Sequence, residues 1–124
     1  MKRSSEKYIL TKQIDWEELG GGVSRKMLGY DNQIMMVLVK FEKAALGSPH
    51  SHFHTQTTYC VEGKFEFEID GEKQILSAGD GVYIEPNLLH SAVCLEEGML
   101  IDTFSPVRED FLNGDGVSYF GDKD

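Results

Sequence analysis

Three of the four histidines fall within five positions, in the stretch His50-Ser51-His52-Phe53-His54-Thr55-Gln56, and the fourth is His90. Successive side chains of an extended strand point to opposite faces. A strand here would therefore put His50, His52, His54 and Gln56 on a common face. Three imidazoles backed by an amide oxygen suit a divalent first-row metal, and Zn, Ni, Mn, Fe and Co all accept such a set. The competing reading is a polar surface strand whose histidines are accidental.

A second polar group comes late, in Leu100 to Phe111. Asp102 and Phe104 would share a strand face, and Asp102 is polar in an otherwise apolar run. A carboxylate facing a barrel interior needs a partner or a chemical task. Arg108, a few residues on, can fold back to grip a carboxylate in bidentate fashion. A plainer alternative is a structural Asp102–Arg108 ion pair with Phe104 in the core. By the same alternation Thr58 and Cys60 share the face of Gln56, while Ala92 and Cys94 share that of His90. Cys60 and Cys94 are expected to be small core fillers rather than ligands.

These residues need strands to hold them, and the chain is written in strands. Residues 1–7 read as a frayed polar end, Tyr8-Ile9-Leu10 as a short edge strand, and Ile14 to Leu19 as a helical turn. Gly20-Gly21-Gly22 stops that turn as a plain loop, with no Lys-Ser/Thr pair to suggest phosphate binding. Ile34 to Phe41 is nearly continuous in apolar residues, as in a strand buried on both faces or at an interface. Lys64 to Asp70 alternates strictly, Asp70-Gly71 supplies a left-handed hairpin turn, and Lys73 to Leu76 runs back. Ala78 to Gly81 turns the chain into Val82 to Ile84. His90 to Leu95 and Met99 to Phe104 read as two further strands, and Arg108 to Leu112 as irregular or briefly helical. Short strands punctuated by Gly, Asp and Pro indicate an all-β barrel or jelly roll.

At 124 residues the chain is expected to form a single domain, residues 1–124, with a core at about 33–105, an N-terminal arm at 1–32 and a loose tail at 113–124. A net charge of -9 repels phosphate backbones, so nucleic acid is not an expected partner, and an anionic ligand would need a local cationic device. No run approaches a membrane span, and the charged first residues lack the apolar segment of a secretory leader. Two cysteines are too few for a disulfide framework, which favours reduced thiols and a cytoplasmic location.

The pattern His50-x-His52-x3-Gln56-x6-Gly63, followed by Gly79-Asp80 through Pro86 to His90, resembles the paired motifs of the cupins. The resemblance implies a single-domain jelly-roll barrel with a metal held by His50, His52, Gln56 and His90, and His54 as an alternate. The sequence departs from the motifs at Ala44, where a Gly is usual, and at Glu85 and Leu89, where Pro is common. Cys94 stands in place of a frequent Asn. An amide at position 56 in place of a carboxylate would leave a bound metal its full positive charge, suited to an anionic, oxygen-rich ligand.

Trp16 to Lys26, Leu28-Gly29-Tyr30 and Asp102 to Phe111 are similar to the KdgF-type pectin-degradation cupins. That resemblance implies linearisation of 4,5-unsaturated monouronates to 5-keto-4-deoxyuronates, with Asp102, Phe104 and Arg108 working beside the metal. A non-catalytic cupin that binds a small sugar acid and an iron-dependent cupin dioxygenase are the competing expectations. A homodimer through the apolar run at 34–39 is expected as well.

Overall fold

The computed structural model describes residues 3–113. The described strands are β1 (Glu17–Gly20), β2 (Val23–Tyr30), β3 (Met35–Phe41), β4 (Leu46–His50), β5 (Thr55–Ile69), β6 (Glu72–Ser77), β7 (Gly81–Ile84) and β8 (His90–Ser105). One 3-10 turn at Thr11–Gln13 and the helical turn α1 (Glu109–Leu112) accompany them. The fold is all-β, as the spacing of turn residues predicts. The tail expected to be loose lies, beyond Asn113, outside the described residues.

A long two-stranded ribbon organises the barrel. β5 has 15 residues and β8 has 16, and they pair antiparallel from end to end. Held straight, such a strand would reach roughly 50 Å. Yet both ends of each strand line one cleft, through Gln56 and Phe67 of β5 and through His90 and Asp102 of β8. The ribbon must therefore fold over on itself. Its register breaks at Cys60/Glu62, Glu62/Lys64 and Lys64/Phe65 mark the bend, since an extra residue in one strand kinks the pair. There two glycines cross backbone to backbone. A Cβ on Gly63 would stand 2.6 Å from the Glu96 carbonyl oxygen, and one on Gly98 would stand 2.1 Å from that of Glu62.

The bend divides the sheet into two facing layers. One runs β1-β2-β3-β8-β5-β7 and uses the C-terminal half of β8; the other runs β4-β8-β5-β6 and uses its N-terminal half. Between them lie Val23, Met35, Val37, Val39, Phe41, Phe65, Phe67, Leu76, Ile84, Leu100 and Phe104, all buried. Each such side chain contributes about 1.5–3 kcal/mol relative to exposure. Phe41 and Phe65 meet edge to face across the layers, with ring centroids 5.2 Å apart.

Several local expectations are corrected. Tyr8 to Leu10 is not a strand, and Ile14 to Leu19 is not a helical turn, for Glu17–Gly20 forms β1. The cause is the glycine triplet. Gly20, Gly21 and Gly22 all take positive φ, which closes a β1–β2 hairpin. Arg25 of β2 is fully buried and reaches back to the carboxylate of Glu17, at 2.9 Å. Trp16 lies under the ammonium groups of both Lys26 and Lys40. Ser5, within the polar end expected to fray, exchanges hydrogen bonds with the backbone of Tyr30. The run at 34–41 alternates: Met35, Val37, Val39 and Phe41 are buried, whereas Ile34 and Met36 are exposed on the outer face. The two strands expected at 90–95 and 99–104 are halves of β8, because Gly98 lets the backbone bend without a break.

Candidate functional site

His50 is the last residue of β4, His52 and His54 lie in the connection to β5, and Gln56 is the second residue of β5. The single strand expected over residues 50–56 is therefore not formed, and a common strand face does not bring the histidines together. Turning the chain at 51–54 does. His50 and His90 are register partners across β4 and β8, and the loop swings His52 over them. The ligand-capable nitrogens of His50, His52 and His90 all lie within 4.8 Å of one another. His54 stands outside this cluster, with its ring beside those of Phe53 and His52 and its Nδ1 buried without a hydrogen-bond partner.

Main-chain carbonyls orient all three clustered rings. His50 Nδ1 donates to Ser48 O at 2.7 Å, His90 Nδ1 to Leu88 O at 3.0 Å, and His52 Nδ1 to His54 O at 3.2 Å. A carbonyl can only accept, so each Nδ1 carries the proton and each Nε2 presents a lone pair. Nε2 of His90 is buried with no hydrogen-bond partner in the structure. Nε2 of His52 faces Gln56 Oε1 at 3.0 Å, one acceptor against another. A second proton on the ring would relieve this, but the environment opposes it. Burial, then the Arg108 charge, lowers the His52 pKa to about 3. Burial likewise lowers His50 to about 4 and pushes His90 down. Three neutral imidazoles and an amide oxygen, all offering lone pairs to one point, make a donor set that fits a divalent cation. Among the described residues these four would hold a metal, and the donor types leave its identity open.

The other half of the cleft comes from the end of β8 and the segment after it. Asp102 and Phe104 are buried on the inner face, at 5% and 2% exposure, and Arg108 at 4%. All three line the same cleft as His50, Gln56 and His90, about 430 Å³ including the solvent in its mouth. The Arg108 guanidinium lies 5.0 Å from the centre of Phe104 and 4.3 Å from that of Phe111. Its Nε and Nη2 donate to the two oxygens of Asp110, at 3.0 and 2.8 Å. Burial is the main cause that lowers the pKa of all four histidines, and the Arg108 charge adds to it in each case. Cys60 and Cys94 are buried behind it, and burial raises both thiols, as suits core fillers.

Sequence reasoning alone missed two contributors. Asp110 anchors Arg108, and Thr58 links Gln56 Nε2 at 3.0 Å to Asp102 Oδ1 at 2.7 Å. Strand alternation does place Thr58 on the face of Gln56, but only the β5–β8 register sets it opposite Asp102.

Residues 37–103 match the family described as Cupin domain. Over 108 residues, 86% of this chain and 98% of the relative, the sequence is 48% identical to the pectin degradation protein KdgF of Dickeya dadantii (strain 3937). The chain belongs to the cupins, and within them to the KdgF type. Among solved structures, the cupin is similar to KdgF from Halomonas sp., with a TM-score of 0.83 and 38% identity, over 86% of this chain and 99% of that one. An RmlC-like cupin from Shewanella frigidimarina NCIMB 400 superimposes with a TM-score of 0.86 at 45% identity, over 87% and 97% of the two chains. A shorter match, 34% identical over 62 residues, joins it to 18% of the quercetin 2,3-dioxygenase of Bacillus subtilis (strain 168). No described helix of this KdgF-type cupin is long and apolar enough to cross a membrane.

Proposed function

We propose that this cupin takes part in pectin or alginate breakdown by linearising 4,5-unsaturated monouronates to 5-keto-4-deoxyuronates. The observation that carries the reading is the convergence of Asp102, Phe104 and Arg108 on the cleft that holds His50, Gln56 and His90. Similarity to KdgF over nearly the whole chain supports the substrate class.

The reaction is an isomerisation and needs no co-reactant. Asp102 as carboxylate takes the proton of the anomeric hydroxyl, and the bond from C1 to the ring oxygen breaks with its electron pair going to that oxygen, giving an aldehyde and an enolate. The same carboxyl then delivers that proton to C4, and the enolate becomes the ketone. Arg108 holds the uronate carboxylate; the guanidinium already grips that of Asp110. Phe104 packs on the sugar ring and excludes water. His50, His52, Gln56 and His90 would hold a divalent metal, which supplies Lewis acidity toward substrate oxygens when bound.

The test is optical. The conjugated double bond of the unsaturated uronate absorbs in the near ultraviolet, and linearisation removes that absorbance. Wild-type protein is expected to abolish the signal, a chelator to prevent this, and Asp102→Ala to slow it by at least 10²-fold. Full activity in Asp102→Ala removes the proton-transfer role. Unchanged absorbance with measurable uronate binding supports a sugar-acid sensor instead. The dioxygenase similarity favours a second reading, for which oxygen uptake is the diagnostic.

A further inference from the structure

Thr58 is 3% exposed and sits between two groups the proposed function treats separately. Its place follows from register: Thr58 is the β5 partner of Asp102 on β8, and Gln56, two residues earlier on β5, faces the same way. Thr58 Oγ1 donates to Asp102 Oδ1 at 2.7 Å and accepts from Gln56 Nε2 at 3.0 Å.

A hydroxyl has one proton to give. Asp102 as a carboxylate can only accept, so that proton is committed to it, and Thr58 turns a lone pair toward Gln56. The lone pair selects the N–H side of the amide. Oε1 must then face the other way, into the cluster of imidazole Nε2 atoms. We propose that Thr58 is a positioning residue: the hydroxyl it donates to Asp102 fixes the Gln56 amide with its oxygen toward the metal-holding histidines. This rests on the metal-holding role given above to Gln56. It also explains why position 56 carries an amide. A glutamate there would set two carboxylates on one hydroxyl with a single proton, and one of them would have to turn away or protonate.

The bland alternative is a buried polar chain that is merely satisfied, as buried polar groups normally are. A double-mutant cycle separates the two, read with Co(II) as the probe so that turnover of uronate is not involved. Affinity is measured by chelator competition for wild type, Thr58→Val, Thr58→Ser, Gln56→Ala and the Thr58→Val/Gln56→Ala pair. Thermal unfolding of each metal-free chain reports any loss of fold. Thr58→Val is expected to weaken Co(II) binding roughly 10- to 100-fold, the range typical of groups that orient metal ligands. Thr58→Ser, which keeps the hydroxyl, should restore it to within about threefold. In the Gln56→Ala background Thr58→Val should change nothing further. Equal losses in both backgrounds, or an undiminished affinity in Thr58→Val, would overturn the proposal. Absence of Co(II) binding by wild type would overturn it together with the metal-holding role. A wild type that binds Co(II) through this relay but leaves the ultraviolet absorbance unchanged would sink the uronate reading alone.

Discussion

Removing divalent ions and lowering the pH from 7 to 5 should lower the melting temperature of this protein by several degrees, before its carboxylates begin to titrate. The folded chain keeps His50 and His52 neutral by burying them near Arg108, with pKa values of about 4 and 3 against an ordinary 6.5. The unfolded chain takes up those protons first. Stability is therefore complete above pH 6.5 and falls at about 1.4 kcal/mol per pH unit and per histidine until the folded pKa is reached. For His50 alone the loss by pH 5 is about 2 kcal/mol. His52 is more exposed, so solvent screening reduces its share, with the same sign. In a domain of this size 2 kcal/mol corresponds to roughly 8 °C. The assay is thermal unfolding in a chelator at pH 7, 6 and 5, for wild type and for His50→Gln, comparing slopes rather than absolute values. A flat wild-type profile, or a His50→Gln slope equal to that of wild type, would refute the reasoning. A corollary concerns metal uptake. His50 and His52, already neutral at pH 5, expel no proton on binding, so their part in the metal affinity of the folded protein should barely change between pH 7 and 5.

Two further predictions concern the backbone. Ala44 holds a φ of 74° at an exposed turn, where a Cβ costs about 1 kcal/mol; Ala44→Gly should raise the melting temperature by a few degrees in calorimetry, and a decrease would show that the site is not strained. Gly98→Ala would place a methyl group 2.1 Å from the Glu62 carbonyl oxygen, a contact only backbone movement can relieve. It should cost about 3 kcal/mol or more in denaturant unfolding and reduce activity as well, because the same bend brings His90 and Asp102 to one cleft.

The histidine motif was readable because its spacing is local, but the physical reason for its convergence was not. Strand alternation treats His50, His52 and His54 alike. The chain instead leaves β4 at His50, and the turn that lifts His52 over His90 depends on contacts such as the Asn87 N–H to His52 O bond, which joins distant loops. The alternation of Phe65 and Phe67 was legible, since one strand face meets the core. Ile14 to Leu19 misled, because Asp15 suits a helix start while the glycine triplet behind the stretch closes a hairpin. The link from Thr58 to Asp102 stayed hidden for a different reason. A threonine opposite an aspartate is a fact about two strands in register, and no single stretch of sequence records register.

The three clustered imidazoles are anchored by the main-chain carbonyls of Ser48, His54 and Leu88. Any residue at those positions offers the same oxygen, so mutation there spares the anchors as long as the backbone holds. Asp102 and Arg108 have the opposite dependence, since side chains hold them: the Thr58 hydroxyl bonds Asp102 and the Asp110 carboxylate bonds Arg108. Substitutions at Ser48 and Leu88 should therefore be tolerated more readily than substitutions at Thr58 and Asp110.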